Sequence, residues 1–144
     1  MENKNSGKDR NLKRMEYCFA CGKKNPHGLK LSFTFDGKFA ESFFVPHAYH
    51  QGWSKILHGG LIATLLDEAM VYAAYFSGIK AVTGELKVRF HREAAVGGKL
   101  KIRGWIEDSR LGLFFTRANI FNEEGELVAE GEGKLVGEKG SCIK

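Results

Sequence analysis

The chain has 144 residues, the length of one ordinary domain. Hydrophobic residues make up 43% and charged residues 27%, and no apolar run approaches the roughly 18 residues a membrane-spanning helix needs, so a membrane partner is not expected. The formal charge of +5 is scattered: the first 16 residues hold five bases and three acids, and no stripe of Lys and Arg marks a nucleic-acid face, so nucleic acid is not an expected partner and a small polyanion suits the excess equally well.

Residues 1–15 have no apolar stretch of the signal-peptide kind and read as a polar tail. Residues 139–144 read as a second tail, which leaves 16–138 as a single domain. The cysteines, Cys18, Cys21 and Cys142, are odd in number and sparse, a pattern that points to a reducing, cytoplasmic setting.

In residues 29–35 the apolar Leu29, Leu31, Phe33 and Phe35 alternate with polar neighbours, which predicts a half-buried strand. Asp36-Gly37 is a hairpin signal, so residues 38–45 are predicted to return antiparallel. Residues 46–57 read as a loop. From 60 to 76 the period changes: Leu61, Leu65, Ala69, Tyr72 and Phe76 recur at three to four residues, with Ile62, Leu66, Met70 and Ala73 beside them. That predicts a helix about 25 Å long, apolar around most of its circumference, so other elements must wrap it. Gly78 is its expected stop.

No second helical pattern follows. Val82, Leu86, Val88 and Phe90 alternate with Thr83, Glu85, Lys87 and Arg89, and turns at Gly97-Gly98 and Glu123-Glu124-Gly125 separate further strands over 100–107, 113–121 and 127–136. The order is strand, strand, buried helix, then four strands in a meander. This is an α+β arrangement in which a long antiparallel sheet curls around one central helix.

The segment that carries chemistry is His58-Gly59-Gly60 followed by the helix with Asp67 inside it. Paired glycines at a helix start let a ligand approach the backbone, where unbonded N–H groups can hold a developing oxyanion. The same glycines also serve simply to let the chain turn sharply into the helix. Asp67 in an apolar helix is costly to bury without a partner or a task; the alternative is an exposed stripe with Glu68.

The His-Gly-Gly followed by a helical aspartate nine residues after the histidine resembles the hotdog-fold acyl-CoA thioesterases of the phenylacetate-pathway and 4-hydroxybenzoyl-CoA type. Upstream, Cys18-Phe-Ala-Cys21-Gly22 and Asn25-Pro26-His-Gly28-Leu29 resemble the lead-in of one branch of that family; downstream, residues 82–90 resemble its third strand. The resemblance implies a hotdog fold and hydrolysis of an acyl- or aryl-CoA to free acid and coenzyme A, with no cofactor beyond the coenzyme A of the substrate. It implies that the Gly59 amide, with Gly60 next, polarises the thioester carbonyl. Asp67 acts as general base on water or as nucleophile, His58 braces the turn and touches substrate, and Thr83 helps hold the attacking water.

Gly59 and Asp67 are eight residues apart, about 12 Å along one helix, so one chain does not bring both to one carbonyl. The family solution is a homodimer with antiparallel neighbouring helices, in some members a dimer of dimers, and the same is expected here. Where some relatives carry a positioning Asn or His, this chain has His50-Gln51-Gly52-Trp53, and His50 and Gln51 are expected to line the pocket.

Cys18 and Cys21 invite a zinc reading with His27, His47 or His50, but two cysteines are half of a structural set; no metal is expected. Arg89, His91, Arg92, Lys99 and Lys101 are candidates for the coenzyme A phosphates, against the plainer reading of a solvated sheet face. Phe43, Trp53, Tyr72 and Phe76 are candidates for an acyl tunnel, against the plainer reading of core. The competing functions are a non-catalytic acyl-CoA-binding hotdog protein and a hotdog hydratase or dehydratase. The latter's Phe-Pro-Gly lead-in is absent.

Overall fold

A computed structural model describes residues 15–137, so the two expected tails lie, Met15 apart, outside the described residues. The chain divides into two compact units, Met1–Ser32 and Phe33–Lys144. In the first, the described segment is a run of turns. Gly22 N–H donates to Cys18 O at 2.8 Å, and a Cβ on Gly22 would lie 2.4 Å from Cys18 N and Glu16 O, so no other residue fits that turn. The Asn25 side chain accepts from His27 N–H at 2.9 Å, an Asx turn that suits the Asn-Pro pair.

The strand expected over 29–35 does not form at that length. Lys30 takes a left-handed φ of 54°, and the N–H groups of Leu29 and Leu31 donate to Phe19 O and Ala20 O at 2.8 and 2.9 Å. Alternation of side chains persists there while the backbone bonds its own unit. Only β1, Thr34–Phe35, is regular strand.

In the second unit β1 turns through Gly37 (φ 104°), with the Asp36 carboxylate accepting from the Lys38 and Phe39 N–H groups at 2.9 and 2.7 Å. These bonds hold the Asp36 carboxyl below the usual carboxylate range. Strand β2, Ala40–Phe44, pairs with β1. A single turn of 3₁₀ helix, Ala48–His50, precedes helix α1, Gly59–Phe76. Helix α1 ends as expected: Gly78 has φ 86°, and Ile79 N–H returns to Ala74 O at 2.9 Å, the 6→1 bond of a Schellman cap.

Then follow β3, Ala81–Phe90; β4, Leu100–Arg110; β5, Leu113–Phe121; and β6, Leu127–Gly137. The six strands form one antiparallel sheet in the order β1-β2-β4-β5-β6-β3. The expected four-strand meander is thus corrected. β4, β5 and β6 are a meander, but β3 crosses to the far edge and pairs with β6, leaving β4 beside β2. The edge of β4 is already filled by β2 through five residue pairs, and the edge of β6 takes β3 through nine.

Helix α1 packs across β2 to β6, closest to β4. Leu65, Leu66, Ala69 and Ala73 are fully enclosed, as are Ile102, Ile120, Val128 and Leu135 of the sheet, and burying each such leucine or isoleucine is worth about 1.5–3 kcal/mol. Gly104 sets the spacing, since a Cβ there would lie 2.5 Å from the backbone carbonyl of Ala69. No helix among the described residues is long and apolar enough to cross a membrane.

Candidate active site

The loop before α1 is tied at several points. Gly52 N–H donates to Ile56 O and His58 N–H to His50 O, both at 2.9 Å, and Leu57 and Val96 bond across to Ala94 O and Lys55 O. The Gln51 amide donates to Ala48 O at 2.6 Å and accepts from Lys55 N–H. His50 is buried, and its Nδ1 accepts from His47 N–H at 2.9 Å. Burial, then the neighbouring His47, holds the His50 imidazole below the ordinary histidine value. His50 and Gln51, expected to line the pocket, brace this loop through His50 Nδ1 and the Gln51 amide.

His58 is the N-cap of α1. Its Nδ1 accepts from Gly60 N–H at 2.8 Å, which requires a lone pair on Nδ1. The next turn is anchored by Leu61 and Ile62 N–H groups donating to His58 O at 3.0 and 3.2 Å. Of the two glycine amides, Gly60 N–H is therefore occupied. Gly59 N–H has no acceptor among the described residues. A Cβ on Gly59 would lie 3.5 Å from the Phe90 ring, so the helix start sits against the far end of β3.

Asp67 lies on the half-exposed face of α1 and accepts from the Thr83 hydroxyl at 2.6 Å, a short charge-assisted bond. Alternation had put Thr83 on the polar face with Glu85, Lys87 and Arg89. A bulge between Thr83 and Glu85 corrects this: Thr83 pairs with Leu135 and Glu85 with Lys134, so Gly84 is an extra residue in the ladder. One added residue reverses the parity. Thr83 turns toward the helix and Val82 turns out, 55% exposed. The interior glycine of the strand was the signal that could have found it. Glu68, the other acid of the pair, is only 9% exposed, so no exposed Asp-Glu stripe exists.

The phosphate candidates differ in what they already hold. His91 Nε2 meets the Glu130 carboxylate at 2.7 Å, Arg92 meets Glu126 at 3.2 Å, and Lys101 meets Glu41 at 3.6 Å. Lys99 lies over the Phe43 ring, 4.6 Å from its centroid. Arg89 is exposed with no ion pair among the described residues.

The tunnel candidates are not brought together. Tyr72 and Phe76 stack with Phe33 and Phe35 at 4.6 and 5.2 Å, as core. Phe43 lies under Lys99, and Trp53 alone lines a cleft of about 390 Å³ beside His58 and Gly59. The sulfurs of Cys18 and Cys21 lie within 4.8 Å of each other, and Cys21 N–H donates to Cys18 Sγ at 3.4 Å. Two sulfurs that close can share a soft cation, but they are half of a four-ligand set.

The Thioesterase superfamily profile matches residues 54–129, a stretch that includes His58, Gly59, Asp67 and Thr83. Among solved structures, the PaaI protein of the phenylacetic acid degradation operon of E. coli is similar at 22% identity and a TM-score of 0.77, over 94% of this chain and 99% of that one. A hypothetical thioesterase from Streptococcus pneumoniae, solved with coenzyme A, is similar at 16% identity and a TM-score of 0.71, over 74% of this chain and 87% of that one. The smu.793 protein of Streptococcus mutans, bound to acetyl CoA, is similar at 17% identity and a TM-score of 0.71, over 75% of this chain and 88% of that one. The Streptococcus pneumoniae protein is also known with an aspartate and a threonine each replaced by alanine, 16 positions apart in its chain, as Asp67 and Thr83 are here. No curated protein matches in sequence. The structural likenesses establish the hotdog fold, and because the family profile spans more than half of its length, the chain belongs to the thioesterase superfamily.

Proposed function

We propose that the protein hydrolyses a coenzyme A thioester to the free acid and coenzyme A, and that each active site is shared by two copies of the chain. The observation that carries this is the Thr83–Asp67 bond of 2.6 Å, which fixes one carboxylate oxygen and leaves the other for water. Thr83 donates its only proton to Asp67 while its lone pairs accept from the same water, so the pair supports Asp67 as general base. Water oxygen attacks the thioester carbon as Asp67 takes the proton. The resulting oxyanion accepts from a Gly59 N–H, and the carbon–sulfur bond breaks to release the coenzyme A thiolate, which is reprotonated.

The two groups come from different copies because β3 holds them at opposite ends: Thr83 meets Asp67, and Phe90 meets Gly59. The outer edge of β3 has no strand beside it among the described residues, and such an edge is a template for pairing. Antiparallel pairing of β3 with its copy about a two-fold axis near its middle sets Thr83 near the partner's Phe90, and so Asp67 near the partner's Gly59. Arg89 and Lys99 are the cations most available to the phosphates, since His91, Arg92 and Lys101 already face acids.

The test is thiol release from a panel of acyl-CoA thioesters by the native protein and by Asp67→Ala. The native protein releases thiol, and the variant, with unchanged circular dichroism, loses turnover by a factor on the order of 10²–10⁴. A native protein that binds the thioesters without releasing thiol is the non-catalytic binder, and the proposal fails.

A further inference from the structure

The cleft at the start of α1 is lined by Gly52, Trp53, Ile56, Leu57, His58 and Gly59. We infer that it receives the acyl group of the thioester and that Trp53 selects acyl groups that are flat, either aromatic or conjugated. This rests on the hydrolytic reading above and adds a specificity residue to it.

Three observations lead there. The first is position: Gly59 N–H has no acceptor among the described residues and Gly59 borders the cleft, so a carbonyl held by that amide has the cleft beside it for one of its two substituents. The second is charge. Among the described residues of the same copy no lysine, arginine or acid lines it, and the Nδ1 of His58 is taken by the Gly60 amide. Coenzyme A carries several phosphate charges, and a wall without lysine or arginine offers them little compensation. The substituent that fits is the acyl group.

The third observation is the indole itself. Trp53 is 84% exposed, yet its backbone is held in a tight turn, with Ile56 N–H donating to Trp53 O and Gly52 N–H to Ile56 O at 2.9 Å each. The other tunnel candidates on α1 stack on one another, while Trp53 joins no ring stack among the described residues. A large flat face fixed on a short turn and open to the cleft is a stacking platform. The cleft is too open to enclose a saturated chain, whose gain depends on removing each methylene from water.

Size-matched substrates test this: crotonyl-CoA against butyryl-CoA, and benzoyl-CoA against cyclohexanecarbonyl-CoA. Each pair differs in planarity far more than in volume. The native protein is expected to favour the flat member of each pair in kcat/KM by about tenfold, a typical worth for one good stacking contact. Trp53→Ala should reduce that ratio to near one, through the flat substrate alone, and Trp53→Phe should keep most of it. Equal losses on both members, or an unchanged ratio in Trp53→Ala, overturn the inference while leaving hydrolysis by Asp67 standing.

Binding is read separately in Asp67→Asn combined with Trp105→Phe, which leaves Trp53 as the one tryptophan. Benzoyl-CoA should change its emission and free coenzyme A should not. Emission that responds equally to free coenzyme A means the cleft holds the nucleotide arm, which overturns the inference. A native protein that hydrolyses nothing while benzoyl-CoA still shifts the emission overturns the hydrolytic reading and supports the cleft.

Discussion

Gly59 occupies the first helical position of α1, and that position allows an unusually clean perturbation. Proline is well accepted there, because the N–H it lacks has no partner inside the helix. The residue before it must be extended, and His58 already has φ −59° and ψ 133°. A Cβ at 59 meets only ordinary contacts, the Phe90 ring at 3.5 and 3.6 Å. Gly59→Pro therefore deletes one amide proton and little else. Gly60 N–H does not substitute, since His58 Nδ1 holds it at 2.8 Å. Removing one donor of this kind costs about 10²–10³ in kcat, and because the cleft is open to solvent the lower figure, about a hundredfold, is expected. Thiol release gives the rate; circular dichroism and a thermal midpoint within a few degrees of native confirm the fold. Mixing this variant with Asp67→Ala, after brief unfolding and refolding together, should restore about a quarter of native activity. In a symmetric dimer half of the pairs are mixed, and each mixed pair holds one complete site. Full activity in Gly59→Pro, or no recovery on mixing, would refute the reasoning.

Three further outcomes follow from the same geometry. Thr83→Val removes a charge-assisted bond of 2.6 Å to a half-exposed carboxylate, worth about 1.5 kcal/mol, so kcat should fall about tenfold. In an Asp67→Asn background it should cost nothing more, and additive losses in the double variant rule out action through Asp67. Gly104→Ala places a methyl group 2.5 Å from the Ala69 carbonyl and should cost about 3 kcal/mol of stability, read as a fall in thermal midpoint. His50 is held below the ordinary value of 6.5, so the folded protein binds fewer protons than the unfolded chain just below that pH. Its contribution is complete above about pH 6.5 and is lost as pH falls toward the lowered value. Midpoints between pH 5.5 and 7.5 should therefore slope less in His50→Gln, and an unchanged slope counts against the burial argument.

The parts of the fold that were legible in the chain are those decided within a few residues. The helical period of 61–76, the stop at Gly78 and the turns at Gly37, Gly97 and Gly125 each rest on local sterics, and each glycine takes the positive φ its turn requires. What was not legible depends on partners distant in sequence. The place of β3 beside β6 is a choice among sheet edges that periodicity does not encode, and the bulge at Gly84 reverses which face Thr83 presents through one unpaired residue. The loss of strand at 29–33 follows from Lys30 adopting a left-handed φ although its neighbours alternate well. At the site, Asp67 stood out as a polar interruption of an apolar helix. The duties of His50 and Gln51 did not, because side chains that cap their own loop leave no periodic trace.

The shared site finds support in the charges along the β3 edge. Glu85, Lys87 and Arg89 lie on one face of the strand, in register with Lys134, Glu132 and Glu130 of β6. A free edge that carries one acid followed by two bases sets acid against base when reversed. Pairing centred on Leu86 sets Glu85 opposite the partner's Lys87, and by symmetry does so twice. Pairing centred one residue later sets Glu85 opposite the partner's Arg89 but also sets two Lys87 ammonium groups face to face, which like charges directly across a ladder disfavour. Moving the centre by one residue shifts every partner by two and so displaces Asp67 from the partner's Gly59 by about 7 Å along the strand, further than a hydrogen bond tolerates. The charge pattern that selects the register therefore bears directly on catalysis. Glu85→Lys should lower thiol release by weakening the pairing, and a second change, Lys87→Glu, should restore it.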